Sequence, residues 1–364
     1  MNSNRAAGGW LRVLLFLALC SSFATGRVPK AFGADLTPAQ VESAREEQQR
    51  HLQHLQRLPR QLHEEQQPSR LAQVTRWLHR LHAHYSVIEG YDHNPNFGSP
   101  RKGSGFTEQD TGLGYLHHLG PRFLYRLSGN LRYVNYYKFA NDNLVEPTLR
   151  AETAFEFTPH LFLESEYATR WFWKPHDAQG DFNEQEVKLG VKHYFIPERL
   201  YHKPSYIFQY RDFTKAKARV TDGTPGVDDR HDTTHRLEYE VGVHLAPWLL
   251  LRVINQYGRN DSNDKFLHFY DYSFYQVTPS VTWEIAKPLL LIAGVQFERN
   301  HYDDRAIRGR AERENNTAVF GSLFYNVTKS TSVGLHWVYV KDNSTLPELE
   351  YQDSSLSLGV HVHF

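Results

Sequence analysis

The chain has 364 residues, with 41 basic and 41 acidic side chains, and 14% of its residues are aromatic. Such a neutral balance removes the electrostatic argument for nucleic-acid binding. The mean hydropathy is negative, which excludes a bundle of transmembrane helices, while the abundance of Tyr, Phe and Trp suits strands and membrane-interface belts.

At the amino-terminus, Arg5 and Arg12 flank the start of an apolar run, Leu11 to Leu19, and small residues follow at Ala24, Gly26, Ala31 and Gly33. Residues 1–34 therefore read as a secretory signal with cleavage near 26 or 34. The run is too short to anchor in a bilayer. Cys20 is the single cysteine and lies in this segment, so the exported chain has no disulfide. A lipobox around Cys20 is the weaker reading, because Leu19 stands where a small residue is expected.

Residues 35–80 shift to Gln, Glu, Arg, His and Leu. Thr37, Pro38 and Gln40 make a helix start, with a cap, a first-position proline and a side chain that reaches back. Pro59 and Pro68 interrupt a thin stripe of Leu52, Leu55 and Leu62. Beyond them Leu71, Val74, Trp77, Leu78 and Leu81 form one apolar helical face. The segment is predicted to be a short α-helical stem, a plug or an oligomerising helix.

Past residue 81 the period becomes two. Phe123, Tyr125, Leu127, Leu131 and Tyr133 alternate with Arg122, Arg126, Ser128, Asn130 and Arg132, and the same rhythm recurs at 187–192 and 237–243. Short connections are predicted at about 118–122, 158–160, 196–203, 246–247, 286–288 and 328–330. Long polar ones are predicted at about 93–105, 138–146, 174–182, 217–232, 259–268, 302–315 and 341–350. Strict alternation of short and long is the mark of a barrel with one tight rim and one extended rim. The predicted fold class is all-β: a transmembrane antiparallel up-and-down β-barrel over 81–364, preceded by the helical segment. It would have about 14 strands, within a range of about 12–16.

Tyr167, Trp171, Trp173, Trp337 and Tyr339 approach long connections, whereas Trp248, Trp283 and Tyr325 sit beside short ones, as two interfacial girdles would. Pro279 should mark a bulge or shorten its strand. The chain ends on Leu356, Leu358, Val360, Val362 and Phe364 on one face, with Ser357, Gly359, His361 and His363 on the other. Termini usually fray, so a strand running to the last residue suits a sheet that closes on itself.

If the apolar parity faces lipid, the other parity lines a lumen. The candidates there are Arg126, Arg132, Arg150, Glu152, Glu164, Glu166, Arg170, Glu186, Lys188, Arg211, Arg236, Glu238 and Arg252. They could form a salt-bridged wall or a constriction for a polar solute, and their mixed signs argue against a simple ion filter. Tyr136 and Phe172 share this parity and could stack on sugars or pack beneath loops. At the seam His82 and His84 would approach His361 and His363, with His118 near, as a candidate transition-metal or titrating cluster. The acidic run Asp222 to Asp229 lacks calcium-loop spacing and reads as a solvated loop. No nucleophile elbow, zinc-helix signature, phosphate loop or dinucleotide fingerprint is present, and no cofactor is implied.

The aromatic closing strand resembles that of Gram-negative outer-membrane barrels. Glu89-Gly-Tyr-Asp-His-Asn94 resembles the Tyr-Asp-x-Asn element of outer-membrane porins found with exopolysaccharide and capsule systems. The hairpins beginning Leu119-Gly-Pro-Arg and Phe157-Thr-Pro-His are similar to theirs in rhythm. The resemblance covers about 82–364 and implies an outer-membrane pore or scaffold, with a possible link to glycan export. The expected function is a porin-like channel for polar solutes or a component of polysaccharide export. The alternatives are a barrel-embedded enzyme of acyl hydrolase type and a structural surface protein with a closed lumen. The expected partners are outer-membrane lipid, the barrel-assembly machinery through the last strand, a saccharide or small polar solute, and a periplasmic protein through residues 35–80.

Overall fold

A computed structural model describes residues 81–364 apart from 95–101, 177–180, 267, 308–309 and 346–348. The predicted signal and helical segment lie outside the described residues. The strands in chain order are β1 (Leu81–Asp92), β2 (Ser104–Leu119), β3 (Phe123–Tyr136), β4 (Leu144–Thr158), β5 (Leu161–Phe172), β6 (Phe182–Ile196) and β7 (Leu200–Arg219). They continue as β8 (Pro225–Ala246), β9 (Leu249–Ser262), β10 (Tyr272–Ala286), β11 (Leu289–Ile307), β12 (Arg310–Asn326), β13 (Thr331–Ser344) and β14 (Tyr351–His363). Each pairs antiparallel with its neighbour in sequence and β1 pairs with β14, so the sheet closes into a 14-stranded up-and-down barrel.

Alternation in sequence becomes alternation in exposure. On β8, Leu237 is 62% exposed while Glu238 next to it is 6% exposed. Leu127, Leu149, Leu189, Phe297, Leu335 and Leu358 all stand on the outer face of their strands, exposed. Leaving one such side chain in water forfeits about 1.5–3 kcal/mol relative to burial. A belt of them around a closed sheet far exceeds the apolar patches of water-soluble monomers. Hydrocarbon is therefore the solvent that this face fits, and closure is what satisfies the backbone there. Trp173 and Trp337 near the long connections and Trp248, Trp283 and Tyr325 near the short ones are exposed on the same face.

The tight rim follows from local chemistry. Gly120 takes a φ of +75° between β2 and β3, a conformation that side-chain-bearing residues resist, and Pro121 follows it. The turn between β6 and β7 is shorter than predicted, because β7 begins at Leu200 and takes in Lys203. Two predicted long connections are also mostly strand. The segment 217–232 pairs Lys217 with Asp229 and Arg219 with Pro225, leaving only 220–224 as the turn. The segment 302–315 continues β11 to Ile307 and restarts β12 at Arg310. Backbone pairing is indifferent to polarity, and a cross-strand ion pair between Lys217 Nζ and Asp229 Oδ1 at 2.7 Å supports the hairpin.

Pro279 neither bulges nor shortens its strand. It stays paired with Val253, and the β10–β11 register is the same on either side, with Val277 opposite Phe297 and Ser280 opposite Gly294. A Cβ on Gly294 would come within 2.8 Å of the Pro279 carbonyl oxygen, so glycine lets β11 lie close beside the proline. At the seam, β1 and β14 pair from His84 with His363 to Asp92 with Ser355. The last residue completes it: Ala83 N–H donates to Phe364 O at 3.2 Å and Phe364 N–H donates to Ala83 O at 2.9 Å.

Candidate functional site

The inner face divides into two unlike walls. Over β2–β9 it is an ion-pair zipper built from residues two apart in sequence, hence on one face, and oppositely charged partners on the neighbouring strand or the next but one. Arg132 lies between Glu108 at 3.1 Å and Glu146 at 3.4 Å, and all three are buried. Arg126 meets Glu152 at 3.2 Å, and Arg150 meets Glu166 at 2.9 Å. Glu184 joins Arg170 at 2.5 Å to Arg211 at 2.9 Å. Lys188 reaches Glu238 at 2.8 Å, and Arg236 reaches Glu186 at 2.6 Å. Lys203 stands 3.5 Å from both Glu164 and Glu240, and Arg252 stands 3.8 Å from Glu240.

Every lumen candidate named from the sequence has a place in this zipper. The pairs run along the wall from strand to strand. Glu108, Glu146, Glu184 and Lys203 belong to it too and were missed. Glu146 and Lys203 fell within predicted connections, and Glu184 lies just past one. Their signal was parity: counting twos back from Glu186 reaches Glu184.

The other wall, β10–β14 with β1, has no such zipper among the described residues. Towards the long connections it carries Asp92, Glu312, Glu314, Asp342 and Asp353, all buried, and half-buried Glu298. Arg305 is the only buried cation among the described residues of these strands. It pairs closely with Glu312 and lies 3.9 Å from Glu314. Sequence reasoning missed this wall because Glu312, Glu314 and Asp342 fell within predicted loops.

Between the walls, the connection of β9 to β10 folds inward. Arg219 Nε donates to Asp264 Oδ2 at 2.8 Å, Asn260 Nδ2 to Tyr270 O at 2.8 Å, and Ser262 N–H to Asp271 Oδ1 at 2.7 Å. These bonds seat Phe269, fully buried, and Tyr270 against inward side chains of both walls. The Arg305 guanidinium lies 4.2 Å from the Phe269 ring centre and 4.3 Å from that of Tyr302. The Arg230 guanidinium lies 3.1 Å from the Tyr270 centre and 4.3 Å from that of Phe213. Cation–π contacts in a desolvated setting contribute about 2 kcal/mol or more each. Tyr136 and Phe172, the candidate sugar-stacking residues, are buried in an apolar cluster with Phe106, Leu144, Phe182 and Phe213. Phe172 and Phe182 stack at 4.8 Å, so these rings pack under the long-connection rim.

Of the seam histidines, His82, His84 and His363 lie near one another, while His361 pairs with His336 of β13. His84 faces His363 with ring centres 6.4 Å apart and has Nε2 2.9 Å from Asp110 Oδ1. His82 shares their inward parity. His361 instead faces His336, Nε2 to Nε2 at 3.4 Å, with Ser322 Oγ 2.8 Å from His336 Nδ1. His118 is exposed at the end of β2. Among the described residues no group of three or more His, Cys, Asp and Glu side chains is placed to hold a metal ion. The acidic run at 222–229 is a turn and the start of β8: Asp222 Oδ1 accepts from Thr224 N–H at 2.9 Å and from its hydroxyl at 2.7 Å. Those bonds hold the Asp222 carboxyl below the usual range.

A closed sheet with an apolar outer face and a charged inner face is a membrane-spanning β-barrel. No family model matches the chain, and no curated protein does. Among solved structures, it is similar to outer-membrane expressed OmpT of Vibrio cholerae, with 11% identity, a TM-score of 0.47, and coverage of 78% of this chain and 97% of that one. It is similar to the outer-membrane channel DcaP of Acinetobacter baumannii, with 11% identity, a TM-score of 0.46, and coverage of 78% and 96%. A monoaromatic hydrocarbon channel, TodX, gives 9% identity, a TM-score of 0.43, and coverage of 78% and 88%.

Proposed function

We propose that the chain is a bacterial outer-membrane channel for polar solutes, with its short turns and carboxy-terminus on the periplasmic side. The observation that carries this reading is the zipper of β2–β9. Charged groups facing inward over so many strands are stable only where water or partners meet them, and an apolar outer face fixes lipid on the other side. Residues such as Arg126, Arg150, Glu166 and Lys188 then line a wet path whose pairing keeps either sign from dominating on that wall. A saccharide chain is one polar solute such a path would pass, which connects the barrel with polysaccharide export. β14, the strand that closes the barrel against β1, is the natural contact for the barrel-assembly machinery.

A second reading has its own observation. Phe269, Tyr270 and the arginines stacked on them narrow the long-connection half, as a structural barrel with a closed lumen would. Conductance separates the two. Folded protein in planar bilayers should show discrete single-channel steps, and saccharides added to one side should reduce them if they enter. Traces that stay closed over the full voltage range would sink the channel reading and leave the structural one.

A further inference from the structure

On β11, β12 and β13 the outer face changes character abruptly where the apolar belt ends. Towards the long connections, the outward positions of β11 read Val295, Phe297, Arg299 and His301. Those of β12 read Val319, Thr317, Asn315 and Arg313, and those of β13 read Trp337, Tyr339, Lys341 and Asn343. The register gathers the cations around Asn315. Arg299 lies directly opposite it, Arg313 is two residues along its own strand, and Lys341 is its diagonal neighbour, opposite Thr317. Opposite residues stand about 4.5–5.5 Å apart at Cβ and diagonal ones about 7–8 Å, so these long side chains reach a common area. His301 faces Arg313 and adds a further donor at its edge. Among the described residues, Arg299, Arg313 and Lys341 pair with no carboxylate. Asp303, the outward acid two residues past His301, is engaged by Arg259 at 2.6 Å. By contrast, β1, β3 and β6 put Glu89, Asn135 and Gln185 at the outward position that follows Val87, Tyr133 and Val187.

Like charges set side by side on a sheet repel, and an anion between them removes the repulsion. The place of this group identifies the anion. It adjoins the aromatic edge of a lipid-facing belt, the height at which lipid headgroups lie. A guanidinium presents paired N–H donors that match phosphate oxygens, and the lysine adds a point charge. Just below, exposed Phe297 with Val319 and Tyr339 offers apolar surface to acyl chains. A lipid uses both surfaces, whereas a free anion uses only the first. We propose that Arg299, Arg313 and Lys341, grouped around Asn315, bind the phosphorylated headgroup of a membrane lipid on the outer face of β11–β13. With the short turns on the periplasmic side, this rim meets the outer leaflet, so the ligand is the phosphorylated glycolipid of that leaflet. That last assignment rests on the orientation given under the proposed function, whereas headgroup binding itself does not.

The test uses the full chain, folded in neutral detergent, with diphosphoryl lipid A as the probe and native mass spectrometry as the readout. The wild type should retain the lipid, and the triple variant Arg299→Gln/Arg313→Gln/Lys341→Gln should bind it about tenfold more weakly or worse. If the triple variant does not fold, Arg299→Gln alone carries the test, with an expected loss of about threefold. The control Lys287→Gln/Lys329→Gln removes exposed cations from the short-turn rim and should leave binding unchanged. Lipid binding that is absent, unchanged in the rim variants, or equally lost in the control overturns the site. Equal binding of dephosphorylated lipid A overturns the headgroup assignment. Inorganic phosphate that displaces the lipid at equal concentration overturns the lipid assignment in favour of a free-anion site. Orientation is checked separately with Val227→Cys, on the exposed β7–β8 hairpin, and a membrane-impermeant maleimide. Labelling on intact cells supports the outer leaflet, and labelling only after lysis overturns it. A silent bilayer beside intact lipid binding overturns the channel reading alone.

Discussion

Removing the Glu184 carboxylate leaves Arg170 and Arg211 on the inner wall without the acid they share. Breaking a buried ion pair from one side costs about 3–5 kcal/mol, because the remaining charge stays desolvated. Glu184 is almost fully buried, whereas the two arginines keep about a fifth to a quarter of their surface, so Glu184→Gln should fall toward the lower end of that range. The exposed pair of Arg259 and Asp303 is the internal control: both side chains are more than a third exposed, and Asp303→Asn should cost about 1 kcal/mol or less. Guanidinium unfolding of lipid-reconstituted protein measures both, and equal shifts would contradict the division between inner wall and rim. Inward parity was legible at this scale in runs such as Arg126 to Arg132. Which partner each charge takes was not. Lys188 bonds to Glu238 across β7, and such a contact depends on side-chain reach and barrel curvature, which alternation does not encode.

At the scale of an element, a strand is held by register on one face and solvent on the other. Leu358 lies near the middle of β14 and is 56% exposed on the outer face. A cation there must leave water for hydrocarbon, so Leu358→Arg should destabilise the folded barrel by about 2–4 kcal/mol, and by less at either rim. Urea titration in vesicles checks it, with a near-zero change counting against a lipid-facing position. The β7–β8 hairpin makes a different prediction. The two bonds from Thr224 depress the Asp222 carboxyl. A depressed carboxylate supports the turn above its unfolded pKa, and that support fades as pH falls through the lower folded value. Thr224→Val removes the hydroxyl bond, so the Asp222 midpoint in an NMR titration should move up toward 3.8. This hairpin also shows where element boundaries escaped the sequence. Charged and Gly-Pro-containing residues at 217–232 read as loop, yet ladder bonds and the cross-strand ion pair of Lys217 with Asp229 extend the strands through most of it. Pro279 erred in the other direction, since a strand accepts proline where the register tolerates a missing donor and Gly294 leaves room.

Across the whole molecule, closure, strand number and the two faces were legible because each follows from a repeated local rule: period two, and short connections alternating with long ones. The inward fold of the β9–β10 connection follows no repeated rule. It depends on Asp264 finding Arg219, and on Phe269 and Tyr270 finding guanidinium groups from β8 and β11, contacts that only the closed barrel creates. That connection is the narrowest structural claim on transport. Phe269→Ala with Tyr270→Ala removes both rings while leaving Asp264 and Asp271 to hold the backbone. If the rings obstruct the path, single-channel conductance should rise, by roughly twofold or more for a constriction that sets the pore radius. The same variant removes one of the two rings from each of Arg305 and Arg230, which keep Tyr302 and Phe213, so the guanidinium groups gain exposure and ion preference should shift toward anions. Larger steps with unchanged ion preference would place the rings in the path but remove the arginines from it. Steps of unaltered size would move the constriction elsewhere in the barrel.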